Sequence, residues 1–105
     1  SVAPTRLPDL IDRTQAMLGP DLERYRREDE RLYTDDDLEV FLVDWGHWDD
    51  LGTRLDVTDR ELSAIRRAHE EQLLRIGRRT DREAEFETAL EIREPVIIGI
   101  SASTD

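Results

Sequence analysis

The stretch Trp48–Arg67, WDDLGTRLDVTDRELSAIRR, decides how the rest of the chain is read. Thr58 is followed three residues later by Glu61. The hydroxyl of such a threonine accepts from the backbone N–H of the glutamate, and the glutamate reaches back to the threonine N–H. A helix therefore starts at Thr58. Upstream, Trp48, Leu51 and Leu55 recur at spacings of three and four, the period of one helix face. Val57 plugs the turn, and Leu62 and Ile65 point back at that face. Gly52 falls where two helices would approach closely. The stretch reads as two helices joined by a tight turn.

The neighbouring segments read as packing partners for this pair. Pro8 suits a first helical turn, with Leu10, Ile11, Met17 and Leu18 on one side until Gly19-Pro20 ends the helix. A second helix spans 20–32, with the mixed-sign run Glu23–Arg31 as its solvated face. Thr34 before Asp35-Asp36-Asp37 reads as an N-cap with acids in the first turn. Leu38, Phe41, Leu42 and Trp45 continue that pattern as a helical stripe, although Val40–Val43 alone would also suit a short strand. The helix from Thr58 runs to Ile76 on the stripe Leu62, Ile65, His69, Leu73 and Ile76, with Gly77 as its C-cap. Thr80–Glu83 repeats the capping box and opens a last helix carrying Phe86, Ala89 and Leu90. Val96–Ile100 is an apolar extended run, to lie across the bundle or to pair as an edge strand with a second copy. The expectation is one all-α domain over residues 1–105. It is a compact bundle of about six short helices with a short extended C-terminal segment, frayed over 1–7 and 101–105.

The pair at 48–67 resembles the helix-turn-helix of transcription regulators through Leu51, Gly52, Leu55, Val57, Leu62 and Ile65. Asp56 stands where that motif has glycine. With Trp48 in front, the same residues also resemble the central helices of death-domain-like interaction bundles. The segment 66–79, RRAHEEQLLRIGRR, followed by 85–94, EFETALEIRE, resembles small uncharacterised proteins of halophilic archaea and implies no activity.

Composition narrows the function. The chain holds 26 acidic and 15 basic residues for a net charge of −11, and all the basic residues are arginine. Such a lysine-free acidic surface resembles that of halophile proteins. Molar salt, with a screening length of about 3 Å, removes its self-repulsion. Cysteine is absent, which excludes disulfides, thiol nucleophiles and thiolate zinc sites. No long apolar run and no basic-then-apolar leader occur, so a cytoplasmic protein is expected.

No phosphate-binding glycine loop, nucleophile elbow or zincin motif is present. A non-enzymatic chain with no cofactor and no metal is expected. His47 beside Asp44, Asp49 and Asp50 has the chemistry of a divalent-metal site, against simple loop packing. His69 on the apolar stripe reads as a core imidazole. Trp45, His47 and Trp48 are the candidate interaction surface, with core packing as the alternative for the two tryptophans.

The leading expectation is a self-associating protein-interaction module. The alternative is a DNA-binding regulator reading bases with Arg60, Ser63, Ala64 and Arg67. Charge disfavours DNA: residues 34–61 carry ten acids and two arginines, and phosphate binding depends on uncompensated cations.

Overall fold

The computed structural model describes residues 6–100. Five helices surround a three-stranded antiparallel sheet of order β1-β2-β3. They are α1 (Leu7–Leu18), α2 (Leu22–Glu28), α3 (His47–Leu55), α4 (Asp59–Thr80) and α5 (Glu83–Ile92). The strands are β1 (Glu30–Thr34), β2 (Leu38–Val43) and β3 (Glu94–Gly99). The all-α bundle is therefore overturned.

The difference lies in residues 30–45, where the end of one expected helix and the stripe Leu38, Phe41, Leu42 and Trp45 of the next give way to β1 and β2. Val40, Phe41, Leu42 and Val43 are all buried while Trp45 is exposed, so burial follows a continuous run rather than a helical stripe. A strand covered on both faces produces that run. Phe41 and Val43 belong to one core with Leu10, Tyr25, Trp48, Leu51, Ile65, Val96 and Ile98. Val40 belongs to the other, with Leu73, Ile76, Phe86 and Ile97. The acids after Thr34 do not cap a helix. Asp35 Oδ1 accepts from the N–H groups of Asp37 (2.7 Å) and Leu38 (3.0 Å), closing the β1–β2 hairpin as an Asx turn. The expected helix over 20–32 shortens to α2 after a 3-10 turn at Gly19–Asp21, and its last residues become β1.

A charge also sits inside the sheet. Glu39 on β2 is buried and pairs with the guanidinium of Arg26 through both oxygens, with Arg31 at 3.6 Å. The fork geometry suits this pairing, and the Arg26 hydrogen bond holds the Glu39 carboxyl below the usual carboxylate range.

The helix pair α3–α4 forms as the residues indicate. Thr58 Oγ1 accepts from Glu61 N–H at 3.1 Å, and Glu61 accepts from Thr58 N–H at 2.9 Å. Asp56 takes the left-handed conformation, φ 57°, which Asp tolerates better than most side chains. A Cβ on Gly52 would lie 2.7 Å from Leu62 Cδ2, so glycine is what lets the two helices meet.

The second capping box does not form. Helix α4 continues through Thr80, whose hydroxyl donates to Ile76 O, and ends at left-handed Asp81. Gly77 is not its cap. A Cβ there would sit 2.9 Å from Glu83 Cα, so this glycine admits the start of α5.

Helix α4 links the two cores. Its first half gives Leu62 and Ile65 to one face of the sheet, and its second half gives Leu73 and Ile76 to the other. Between them it crosses the outer edge of β3, and His69 lies at the crossing. There Nδ1 accepts from Ile97 N–H at 3.1 Å. Gln15 of α1 donates to Ile97 O (2.7 Å) and accepts from Gly99 N–H (2.8 Å). Trp48 Nε1 donates to Pro95 O at 3.0 Å. Pro95 brings no N–H to that edge. These side chains occupy the groups that a second copy of β3 would need, so pairing of this strand between copies is also overturned.

Candidate functional site

The β2–α3 junction carries the tryptophans and His47. Gly46, at φ 97°, turns the chain from strand into helix and offers no side chain to cap α3. The buried carboxylate of Glu94 takes that place, accepting from Trp48 N–H at 3.5 Å while Arg66 pairs with its other oxygen at 3.0 Å. Negative charge is favoured at a helix N-terminus.

The three residues of the expected surface part company here. Trp48 is wholly buried, its ring edge-on to His69 with centroids 4.7 Å apart. It is not available to a partner. Its indole points into the core because α3 presents that face to the sheet and β3 supplies a carbonyl for its N–H. Trp45 is 59% exposed, so the core alternative fails for it.

His47 is half-buried and accepts from, or donates to, the Tyr25 hydroxyl at 2.6 Å. Burial raises the Tyr25 phenol to about 12, so the phenol keeps its proton, and the tautomer of His47 sets which group donates. Burial also lowers the His47 pKa, against Asp29 and Asp50, which raise it. The same desolvation raises Asp29. The pair is therefore a neutral phenol–imidazole hydrogen bond at neutral pH.

Trp45 and His47 line a cavity of about 450 Å³ with Arg24, Glu28, Asp29 and Asp50. Asp49 is not among its lining residues. Among the described residues, no group of three or more His, Asp or Glu side chains is placed to hold a metal ion.

Among the described residues, Ile92, at the end of α5, is the other large apolar side chain left exposed, at 63%. The β2–β3 register pairs Val43 with Glu94, and Arg93 Nε lies 3.7 Å from Asp44. Trp45 and Ile92 thus leave the same end of the ladder, one residue beyond that ion pair. The sequence singles out neither Tyr25 nor Ile92 as a site: Tyr25 lies within a dense charge run, and Ile92 stands beside the apolar face of Phe86, Ala89 and Leu90.

The expected DNA-reading set lies elsewhere. Arg60, Ser63, Ala64 and Arg67 line one groove of about 530 Å³ on α4, together with Leu7, Asp59, Ala68 and Glu71. Arg6 pairs with Glu61 at 2.6 Å and holds the start of α1 beside it.

The domain is thus an α+β unit whose sheet is covered on both faces, with an exposed aromatic at the strand-to-helix junction. The chain belongs to the family described as Domain of unknown function (DUF8048), which matches residues 1–100. No curated protein and no solved structure matches it. Among the described residues, no helix is long and apolar enough to cross a membrane.

Proposed function

We propose that this chain is a non-enzymatic, acidic protein-interaction module that associates with a second copy through the face built by Trp45 and Ile92. The observation that carries the reading is their exposure at one end of the β2–β3 ladder. An apolar centre with a charged rim is the anatomy of an interface. Arg24 and Arg93 stand on this rim beside Glu28, Asp29, Asp44 and Asp50. In a two-fold contact, each arginine of one copy can face a carboxylate of the other. The non-enzymatic reading rests on both imidazoles being committed to internal hydrogen bonds.

Two bodies of charge −11 repel, so association strengthens as salt screens them. Sedimentation equilibrium at ordinary salt and in molar KCl tests this. The mass rises to that of a dimer with salt, and Trp45→Ser with Ile92→Ser weakens the dimer by about thirtyfold or more, the effect of one interface hot spot. A wild type that stays monomeric at every salt, or a double variant with undiminished mass, refutes it.

A DNA-binding role is the second reading, supported by the four residues of the expected reading set sharing one groove. Fluorescence anisotropy with duplex DNA at graded salt decides it. Arg67→Ala weakens binding if the reading holds, and a wild type that binds no duplex at any salt eliminates it.

A further inference from the structure

In a chain this acidic, an arginine without a carboxylate is the exception. Most arginines among the described residues are ion-paired, as in Arg6–Glu61, Arg26–Glu39, Arg66–Glu94 and Arg82–Glu85. Arg60 and Arg67 have no ion-pair or hydrogen-bond partner among the described residues. Both are exposed, and both line the same groove on α4. Seven residues separate them, about 10 Å along the helix axis, and the Ser63 hydroxyl lies between them on the same face. The floor is Ala64 and Ala68, and the far wall is Leu7 of α1. Two small side chains on a long helix leave the space, and the Arg6–Glu61 pair keeps the opposite wall in place.

We propose that this groove is a binding site for a small oxyanion-bearing ligand, a phosphate or carboxylate group gripped between Arg60 and Arg67 with Ser63 as a further donor. Guanidinium forks match the planar or tetrahedral oxygens of such groups, and charge-assisted hydrogen bonds are the strong ones. Asp59 and Glu71 flank the ends of the groove, so it is not a broad basic surface. That favours a compact anion seated mid-groove over a long polyanion. The net charge of the chain acts at long range and is screened beyond about 10 Å at ordinary salt, while the two guanidiniums act at contact. This site is independent of the Trp45–Ile92 face.

The test is titration of the 15N-labelled chain with inorganic phosphate and, separately, with succinate, in low-chloride buffer. Saturable shifts centred on the amides of Ser63, Ala64 and Arg67 are expected for one anion or both. A response to phosphate alone assigns a phosphate ligand, and a response to succinate assigns a carboxylate. Arg60→Gln and Arg67→Gln each raise the Kd about tenfold or more, the effect of one lost charge-assisted hydrogen bond. Arg27→Gln is the control. Arg27 is equally exposed and equally without a partner among the described residues, but lies on α2 outside the groove. Its loss leaves the Kd within about twofold, the scale of a distant surface charge. Ala64→Leu fills the floor without changing charge and abolishes the saturable shifts. No saturable shift with either anion, or equal losses from all three arginine variants, overturns the proposal.

Discussion

Trp48→Ala lowers the unfolding free energy by about 3–5 kcal/mol, the range for truncating a buried tryptophan. Trp48 is the largest wholly buried side chain among the described residues. It fills the space between α3, α4 and β3, and its indole N–H satisfies Pro95 O. Truncation opens a cavity and strands that carbonyl together. A domain of this size has only about 5–15 kcal/mol in all, so the variant gives up a large share of its stability. Trp48→Phe keeps most of the volume and forfeits the hydrogen bond, so its smaller loss measures the carbonyl term. Urea unfolding, followed by circular dichroism, reads both. A cost below about 1 kcal/mol for the alanine variant, the size of an ordinary surface substitution, contradicts this packing.

The second large effect is in acid. Burial lowers the His69 pKa from 6.5 to about 4. With Nδ1 accepting from Ile97 N–H, the neutral ring carries its proton on Nε2, and a second proton can only enter at the hydrogen-bonded nitrogen. Between pH 6.5 and about 4, the unfolded chain takes up a proton that the folded chain refuses. Stability is therefore complete above pH 6.5 and falls as the pH drops through that window, by about 3 kcal/mol at its lower end.

His47, also lowered by burial, contributes with the same sign. The lowered carboxyls of Asp35, Glu39, Glu61 and Glu85 act further down, because their stabilisation is lost only as pH falls below their unfolded values of 3.8 to 4.5. Relief of the net negative charge on acidification opposes both, so the measurement belongs in molar KCl, where that repulsion is screened. His69→Leu costs about 1–3 kcal/mol at pH 7 by leaving the Ile97 N–H unsatisfied, yet flattens the slope between pH 6.5 and 5. A variant that keeps the wild-type slope would assign the acid loss elsewhere.

The parts of the fold legible in the sequence are those fixed by local chemistry. Thr58 and Glu61 are three apart, and at that turn the helix starts where their capping box places it. Trp48, Leu51, Leu55, Leu62 and Ile65 hold a helical period because each helix shows one stripe to one core.

Val40–Val43 suits a strand and a helix alike, and the ambiguity has a tertiary cause. A strand with a core on each face loses its alternation, and Leu38, Phe41, Leu42 and Trp45 happen to fall at helical spacing. Thr80–Glu83 misled in the opposite way. It has the letters of a capping box, but the approach of Glu83 to Gly77 carries α4 past it. The buried stripe of α4 is legible from its spacing, while the reason for a histidine at its centre lies in the sheet: one residue of that stripe meets a strand edge and accepts a hydrogen bond. At the surface, the exposure of Trp45 depends on the chain turning at Gly46, and the pairing of His47 with Tyr25 joins residues 22 apart.

The account turns on a helix that passes over the free edge of β3 and closes it with His69. The direct measurement is long-range 15N NMR of the His69 ring at neutral pH, together with hydrogen exchange of the Ile97 amide. The account predicts an unprotonated Nδ1, a proton on Nε2, a through-hydrogen-bond coupling from Ile97 N–H to Nδ1, and an Ile97 amide that exchanges only through global unfolding. A protonated Nδ1 with no such coupling, and an Ile97 amide exchanging as fast as a loop, would contradict it.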